Sequence, residues 1–458
     1  MKTILINFNN SFFVRNFLRT DTLQCLLRRD IRLVLLTSQE KVDYYKKEFP
    51  HKQITYLAAP KITRFPAERF FKFIEMASIH TETVKMMQRS EFYRSELSII
   101  KRIYLYALRR LFWFLGQFRW WRTIVRFSYY RLPSQDYKKF LDEYRPDLVY
   151  SPTTVYADNR LIKEAKKRGI LTAAMVLSWD NFYSKSILRV HSDWLLVHTA
   201  SIKKQAENIG DYPGDKIIVT GLPQYDRYFN KQGILPREDF IQSISGDPKK
   251  KLIVYAFSGK VGLQNDFRMI TILSESVRKN SIYPAAQILV RPYPRYDLSE
   301  GKLDVLKKKY PILGVSAMSH VGLNTDNWEF DEHSLNLLTN TLYHADVIIT
   351  TYSTFFIEGA IFDKPLIGIS FDGKDKLSYH ESARRFFDWD HLRDIKKYDA
   401  ITLVCSEDEL IGAINKSFAN PAYRADGRKK MVKTQSEFQD GKSGLRVAEA
   451  ILHILHHS

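Results

Sequence analysis

The stretch HADVIITTYSTFFIEGAIFDKPLIGISFDG, residues 344 to 373, decides how the rest of the chain is read. DVIIT is continuously apolar, as a strand covered on both faces must be, and PLIGISF (365 to 371) has the same character. FFIEGAIF between them opens a helix, which makes a strand-helix-strand unit with parallel strands. Packing alone has no use for two hydroxyls and a carboxylate at a strand's exit. Ser353 and Thr354 there either cap the helix or bind phosphate oxygens, and Glu358 either complements the helix dipole or reaches a ligand.

The same alternation extends in both directions. Upstream, TILINF (3 to 8), IRLVLLTS (31 to 38), PDLVYSP (146 to 152), LTAAMVL (171 to 177), DWLLVHT (193 to 199) and KIIVTG (216 to 221) read as buried parallel strands. NRLIKEAKKRG (159 to 169) is an intervening helix that ends on a glycine suited to the left-handed cap. A second series runs LIVYAFSG (252 to 259), AQILVRPYP (286 to 294), ILGVSA (312 to 317), ADVIITTYS (345 to 353), PLIGISF (365 to 371) and AITLVCS (400 to 406). The turn-forming, charged SGDPKKK (245 to 251) separates the two. The predicted organisation is an α/β chain of two doubly wound domains, residues 1–240 and 250–440, with a terminal helix over 441–458.

At 458 residues, 45% hydrophobic and 26% charged, the chain has material for two cores and the composition of a globular protein. Its two cysteines, Cys25 and Cys405, stand outside any metal or redox pattern, which favours a reducing compartment. The opening MKTILINFNNSFFVRNF reads as a first strand rather than a secretory signal. A formal charge of +19 attracts anions: nucleic acid, phosphorylated small molecules or an anionic membrane. No D-x-D motif or tight His/Asp/Glu cluster is visible, and no bound metal or other cofactor is expected.

DVIITTYSTFFIEGAIFDKPLIGISFDG resembles the donor-site motif of GT-B glycosyltransferases, closest to the surface-polysaccharide transferases and their polyol-phosphate (CDP-glycerol-type) relatives. VTGLPQYD (219 to 226) and LVRPYPRYD (289 to 297) resemble further segments of that group. The resemblance implies two Rossmann-like domains facing across a cleft, the first on the acceptor side and the second binding the nucleotide-sugar. It implies that Ser353 and Thr354 face the nucleotide diphosphate and that Glu358 bonds the ribose hydroxyls. Two departures stand out: Tyr293 in RPYP where the polyol-phosphate transferases commonly carry His, and NFNNSFFVRNF where many GT-B enzymes have a glycine-rich loop.

In AFSGKVG (256 to 262), Ser258, Gly259 and Lys260 offer a backbone nest and an ammonium to a diphosphate, or simply a strand-to-helix turn. Arg291 closes an apolar strand, where a guanidinium grips phosphate in two-pronged fashion or forms a surface ion pair. LSWDNFYSKS (177 to 186) is similar to a Trp-Asp-Asn segment of the same transferases. Asp180 in it is the first candidate for the base that deprotonates an acceptor hydroxyl, the alternative being a turn cap. His191, His198, His320, His333, His344 and His380 are further candidates, since imidazole titrates near neutrality.

Residues 101 to 131 carry eight Lys or Arg, eleven aromatics and no acid. The longest charge-free run, LFWFLGQF, is far short of the roughly 20 residues needed to cross a bilayer. Trp113, Trp120 and Trp121 among Arg110, Arg119, Arg122 and Arg126 fit a segment lying at an anionic membrane surface, where each cation contributes about 1 kcal/mol. Packing of the same aromatics onto the first domain, or stacking on single-stranded nucleic acid, are the other readings, and no nucleic-acid partner is expected. The resulting expectation is a cytoplasmic, peripherally membrane-bound, metal-independent glycosyltransferase. It would move a sugar from a nucleotide-sugar to a glycan or lipid-linked hydroxyl. A polyol-phosphate transferase, a nucleotide-sugar 2-epimerase and a non-catalytic lipid- or RNA-binding protein are the alternatives.

Overall fold

The computed structural model describes residues 1–8, 11–62, 66–154, 158–259, 263–292, 301–310, 312–314, 319–320 and 328–456. The chain forms two compact units, Met1–Asp226 with Gln435–Ser458, and Arg227–Thr434.

The first unit is built on β1 (Lys2–Asn7), β2 (Ile31–Thr37), β3 (Ile54–Ala58), β4 (Leu148–Ser151), β5 (Leu171–Met175), β6 (Trp194–Val197) and β7 (Ile217–Val219). Their order is β3-β2-β1-β4-β5-β6-β7, and every pairing is parallel. Helices cover both faces, so the central strands are continuously buried, as Ile4, Leu5, Leu33 and Val34 show. β3 escaped the sequence reading because it is an edge: of ITYLA only Tyr56 is buried, and the apolar run that marks an inner strand is missing. The predicted helix near 159 spans Asp158–Lys166, and Gly169 takes φ +69° beyond it.

The second unit has β8 (Lys251–Ala256), β9 (Ala286–Arg291), β10 (Ile312–Gly314), a two-stranded antiparallel pair β11 (Ser319–His320) and β12 (Trp328–Glu329), then β13 (Val347–Thr350), β14 (Leu366–Ile369) and β15 (Ile401–Val404). The main sheet runs β10-β9-β8-β13-β14-β15, all parallel. Its core gathers Tyr255, Phe257, Ile288, Ile349 and Ile367. In the helix Phe355–Ile361, Gly359 lies flat on this sheet; a Cβ there would come within 2.6 Å of Ile348 and 2.9 Å of Leu366.

The division between units falls earlier than the expected 240/250. Arg227 pairs with Glu332 at 2.5 Å and Arg237 with Asp346 at 2.8 Å, while the Leu235 amide donates to Asn340. These contacts bind the connecting segment to the second unit. The terminal helix, Ser443–His456, belongs to the first, because the Asp226 carboxylate accepts the amides of Ser443 (2.9 Å) and Gly444 (2.7 Å) and Thr22 donates to the Gly444 carbonyl.

The basic aromatic segment forms two consecutive helices, Ile99–Leu115 and Arg119–Arg131, joined at Gly116. Gly116 sits against the Ser78 backbone, where a Cβ would be 1.9 Å from a carbonyl oxygen. Four of the seven residues of the interfacial set named from the sequence face inward. Trp113 donates to the Thr81 carbonyl and Trp121 to Ser78, while Arg122 and Arg126 converge on Asp211 at 2.6 and 2.7 Å. No helix among the described residues is long and apolar enough to cross a membrane.

Candidate functional site

In the second sheet the chain proceeds outward from β8 through β9 to β10, then returns to start again at β13 on the other side of β8. The ends of β8 and β13 therefore diverge into helices on opposite faces, which opens a crevice at the carboxyl edge, the position where open α/β sheets bind ligands. The register Ile253↔Val347, Val254↔Ile348, Tyr255↔Ile349 carries on into two loops that leave side by side. One contains Ser258 and Gly259, the other Tyr352, Ser353 and Thr354. Arg291 ends β9 directly opposite Ala256, one strand further. Five of the residues singled out from the sequence thus share one edge of three neighbouring strands. Lys260 lies outside the described residues.

Gly259 has φ +94°, a conformation that L side chains rarely adopt, and the nearest atom a Cβ would meet is the Tyr352 hydroxyl at 3.9 Å. The Tyr352 ring stacks on Phe386 with centroids 4.0 Å apart, and Trp389 stands 5.7 Å away. Ser258 turns inward: its hydroxyl and its amide both donate to Asp266, each at 3.0 Å, and the Tyr255 hydroxyl donates to the same carboxylate at 2.8 Å. The bonds from Ser258 to Asp266 hold the start of the loop. Burial pushes the Asp266 carboxyl up to about 7, against the opposing pull of the three donors.

Ser353 accepts the Phe355 amide at 3.2 Å and its carbonyl accepts the Phe356 amide, so the first turn of the helix is capped from within the chain. Thr354 makes no side-chain cap and is half-buried. Glu358 is buried one turn further in, its amide bonded to the Thr354 carbonyl. Asp266 and Tyr352 were missed in the sequence because neither sits in a recognisable pattern; only the pairing of β8 with β13 makes them neighbours of the loops.

In the first unit, Asp180 follows β5 at the start of the helix Asn181–Ser184 without capping it through its side chain. Its Oδ1 receives the Lys185 ammonium at 2.7 Å and a short bond from the Ser178 hydroxyl. His198, just after β6, lines a recess with Phe13, Phe17, Tyr150 and Leu222 at the carboxyl ends of β4, β5 and β6. It is buried, its Nε2 has no hydrogen-bond partner, and burial pulls its pKa down to about 4, so the ring is neutral at physiological pH. At the carboxyl edge between β1 and β4, Asn7 donates to Asp158 at 2.7 Å, and burial raises that carboxyl to about 7. Of the other histidines, His191 and His344 are spent on the carbonyls of Gly210 and Leu235, each at 2.9 Å.

Known proteins place this architecture. A UDP-GlcNAc 2-epimerase from Neisseria meningitidis, solved with UDP-GlcNAc bound, superposes with TM-score 0.55 at 12% identity, covering 99% of this chain and 100% of its own. A UDP-GlcNAc 2-epimerase from Methanocaldococcus jannaschii gives 0.53 at 14% identity over 99% and 100%. A glycosyltransferase from Rickettsia africae gives 0.50 at 12% identity over 100% and 99%. These likenesses show the GT-B fold. No curated protein matches by sequence. The family model described as CDP-Glycerol:Poly(glycerophosphate) glycerophosphotransferase matches residues 180–453, from Asp180 through the whole second sheet into the terminal helix. With more than half of its length matched, the chain belongs to the CDP-glycerol:poly(glycerophosphate) glycerophosphotransferase family of GT-B transferases.

Proposed function

We propose that this transferase takes a sugar from a nucleotide-sugar and attaches it to a hydroxyl of a glycan or lipid-linked acceptor. One observation carries the reading: Gly259, Arg291 and Thr354 meet at the carboxyl edge of three adjacent strands, with Glu358 buried behind them. A cation, an open backbone turn and a free-standing hydroxyl suit a diphosphate, and a carboxylate one turn into the helix suits the ribose hydroxyls. The acceptor oxygen attacks the anomeric carbon, the bond from that carbon to the diphosphate breaks, and the hydroxyl proton passes to Asp180. Arg291 and Lys260 neutralise the departing diphosphate, so the step needs no metal. The protein works at the cytoplasmic face of an anionic membrane.

The family description favours a second reading, in which polyol phosphate is transferred and the bond broken lies between the two phosphates. Tyr293 argues for the sugar, since an aromatic phenol replaces the His that the polyol-phosphate enzymes commonly have. Incubation with UDP-sugars and with CDP-glycerol separates the readings. Release of nucleoside diphosphate supports sugar transfer, nucleoside monophosphate supports polyol-phosphate transfer, and an isomerised intact donor identifies an epimerase. Thermal shifts with UDP and CDP, repeated on Glu358→Gln, test the donor pocket, because a ligand that binds only the native state raises its stability. Equal shifts in both proteins count against the ribose assignment.

A further inference from the structure

The recess at the carboxyl ends of β4, β5 and β6 grades from buried lining, with Phe13, Phe17, Tyr150 and His198, to half-buried lining at Asn16 and Leu177, where it opens. Its room of about 10 Å³ is that of one water-sized group. The aromatic walls brace each other: Phe13 stacks on Phe17 with centroids 4.7 Å apart, and Phe17 leans on Tyr150 at 5.7 Å. The polar side chains of the lining are spent, with one exception. The Tyr150 hydroxyl donates to Met175 Sδ at 3.4 Å, the Asn16 amide donates to the Phe12 carbonyl at 3.0 Å, and the Asn16 oxygen accepts the Gln224 amide at 3.2 Å. His198, 3% exposed, bonds the Val176 backbone and has no partner at Nε2. Burial keeps the ring neutral, so with Nδ1 donating to the Val176 carbonyl, Nε2 is a bare acceptor.

A buried acceptor without a donor is costly, and something has to meet it. A water in the recess finds no free side-chain partner besides Nε2, whereas a stably held internal water needs roughly two to four. A hydroxyl carried on carbon needs only that one bond, and the carbon behind it meets Phe13 and Phe17. Lys, Arg, Asp and Glu are absent from the described lining, so a phosphate or carboxylate has nothing there to balance its charge. We propose that the recess anchors one hydroxyl of a neutral sugar in the acceptor, donated to His198 Nε2, and that His198 selects for this hydroxyl without taking part in the transfer. With space for a single water-sized group, no anomeric carbon fits beside the hydroxyl that is held; the one that reacts is another, at Asp180. The inference rests on the reading of the first unit as the acceptor side, and its test needs neither donor nor turnover.

The full chain, isotopically labelled in its histidine rings, is titrated under nitrogen NMR with methyl glucoside, methyl galactoside, methyl N-acetylglucosaminide and, separately, glycerol phosphate. At least one glycoside should move the His198 Nε2 resonance upfield, as a newly accepted hydrogen bond does, and glycerol phosphate should leave it in place. His198→Leu should weaken binding of that glycoside about three- to tenfold, the worth of one neutral hydrogen bond, and His198→Gln, with an amide oxygen in reach of the same point, should restore most of it. Leu177→Trp narrows the mouth and leaves the imidazole in place; it should abolish the shift, so the result does not depend on whether the His198 variants fold. The proposal is overturned by a resonance that no glycoside moves, which would leave an internal water as the occupant, by glycerol phosphate moving it as far as the sugars do, or by Leu177→Trp responding like the wild type. A shift given by UDP-glucose or UDP-N-acetylglucosamine but by none of the glycosides would assign the recess to the donor's sugar and overturn the acceptor assignment. Release of nucleoside monophosphate in the transfer assay would remove the sugar-donor reading and leave this result standing.

Discussion

Gly259 and Tyr352 face each other across the ends of two parallel strands, the glycine at φ +94° and the phenol oxygen 3.9 Å from where its Cβ would be. The loop after β8 keeps its shape because its backbone takes a conformation other residues avoid. Gly259→Ala should lower stability by about 1–2 kcal/mol, the usual penalty for an L residue on the positive side of φ. Loss of the UDP or CDP thermal shift should exceed what that change in stability accounts for. Urea unfolding and ligand titration of the same variant check both.

Asp266 ties that loop down, and its proton is bound more tightly in the folded chain than in the unfolded one, at about 7 against 3.8. The stability it contributes is complete below about pH 4 and fades as the pH rises towards 7, at no more than about 1.4 kcal/mol per pH unit for a single proton. Asp266→Asn retains the shape without the titration. The difference in unfolding free energy between wild type and variant should therefore fall between pH 4 and 7 and level off above it. A difference that stays flat across that range refutes the assignment.

Asp180, paired with Lys185 at 2.7 Å, and His198, neutral and without a partner at Nε2, are two candidates in the first unit for receiving an acceptor proton. Asp180→Asn should reduce turnover by about 10²–10⁴-fold while leaving the UDP or CDP thermal shift intact, as expected for a general base. His198→Gln should cost far less. The reverse order of effects would assign the base to His198.

Asp226 fastens the terminal helix to the first unit through two backbone amides. Asp226→Ala leaves both donors without their acceptor, at a cost of about 1–3 kcal/mol each where they stay dry. A lower melting temperature should be accompanied by new protease cleavage near Gln435, where the chain re-enters the first unit.

Most of the layered architecture was written in the sequence. A strand buried on both faces has to be apolar throughout, and all twelve predicted strands overlap observed ones, from TILINF to AITLVCS. The edge strand Ile54–Ala58 was illegible for the same reason, since burial on part of one face leaves no continuous run. Ser353, Thr354 and Glu358 stood out because polar groups at the exit of an apolar strand are locally conspicuous. Asp266, Tyr352, Asn7 and Asp158 did not, because their partners are brought to them by strand pairing and helix packing rather than by neighbouring sequence. The basic aromatic segment shows the same limit: composition gave its character, and only packing decided that Trp113, Trp121, Arg122 and Arg126 turn inward while Trp120 faces out. Local pattern determines which segments become strands and helices, because periodicity and burial are properties of a segment. Which side chains meet at an edge, and which are left facing outward, depends on the order in which the segments are laid side by side.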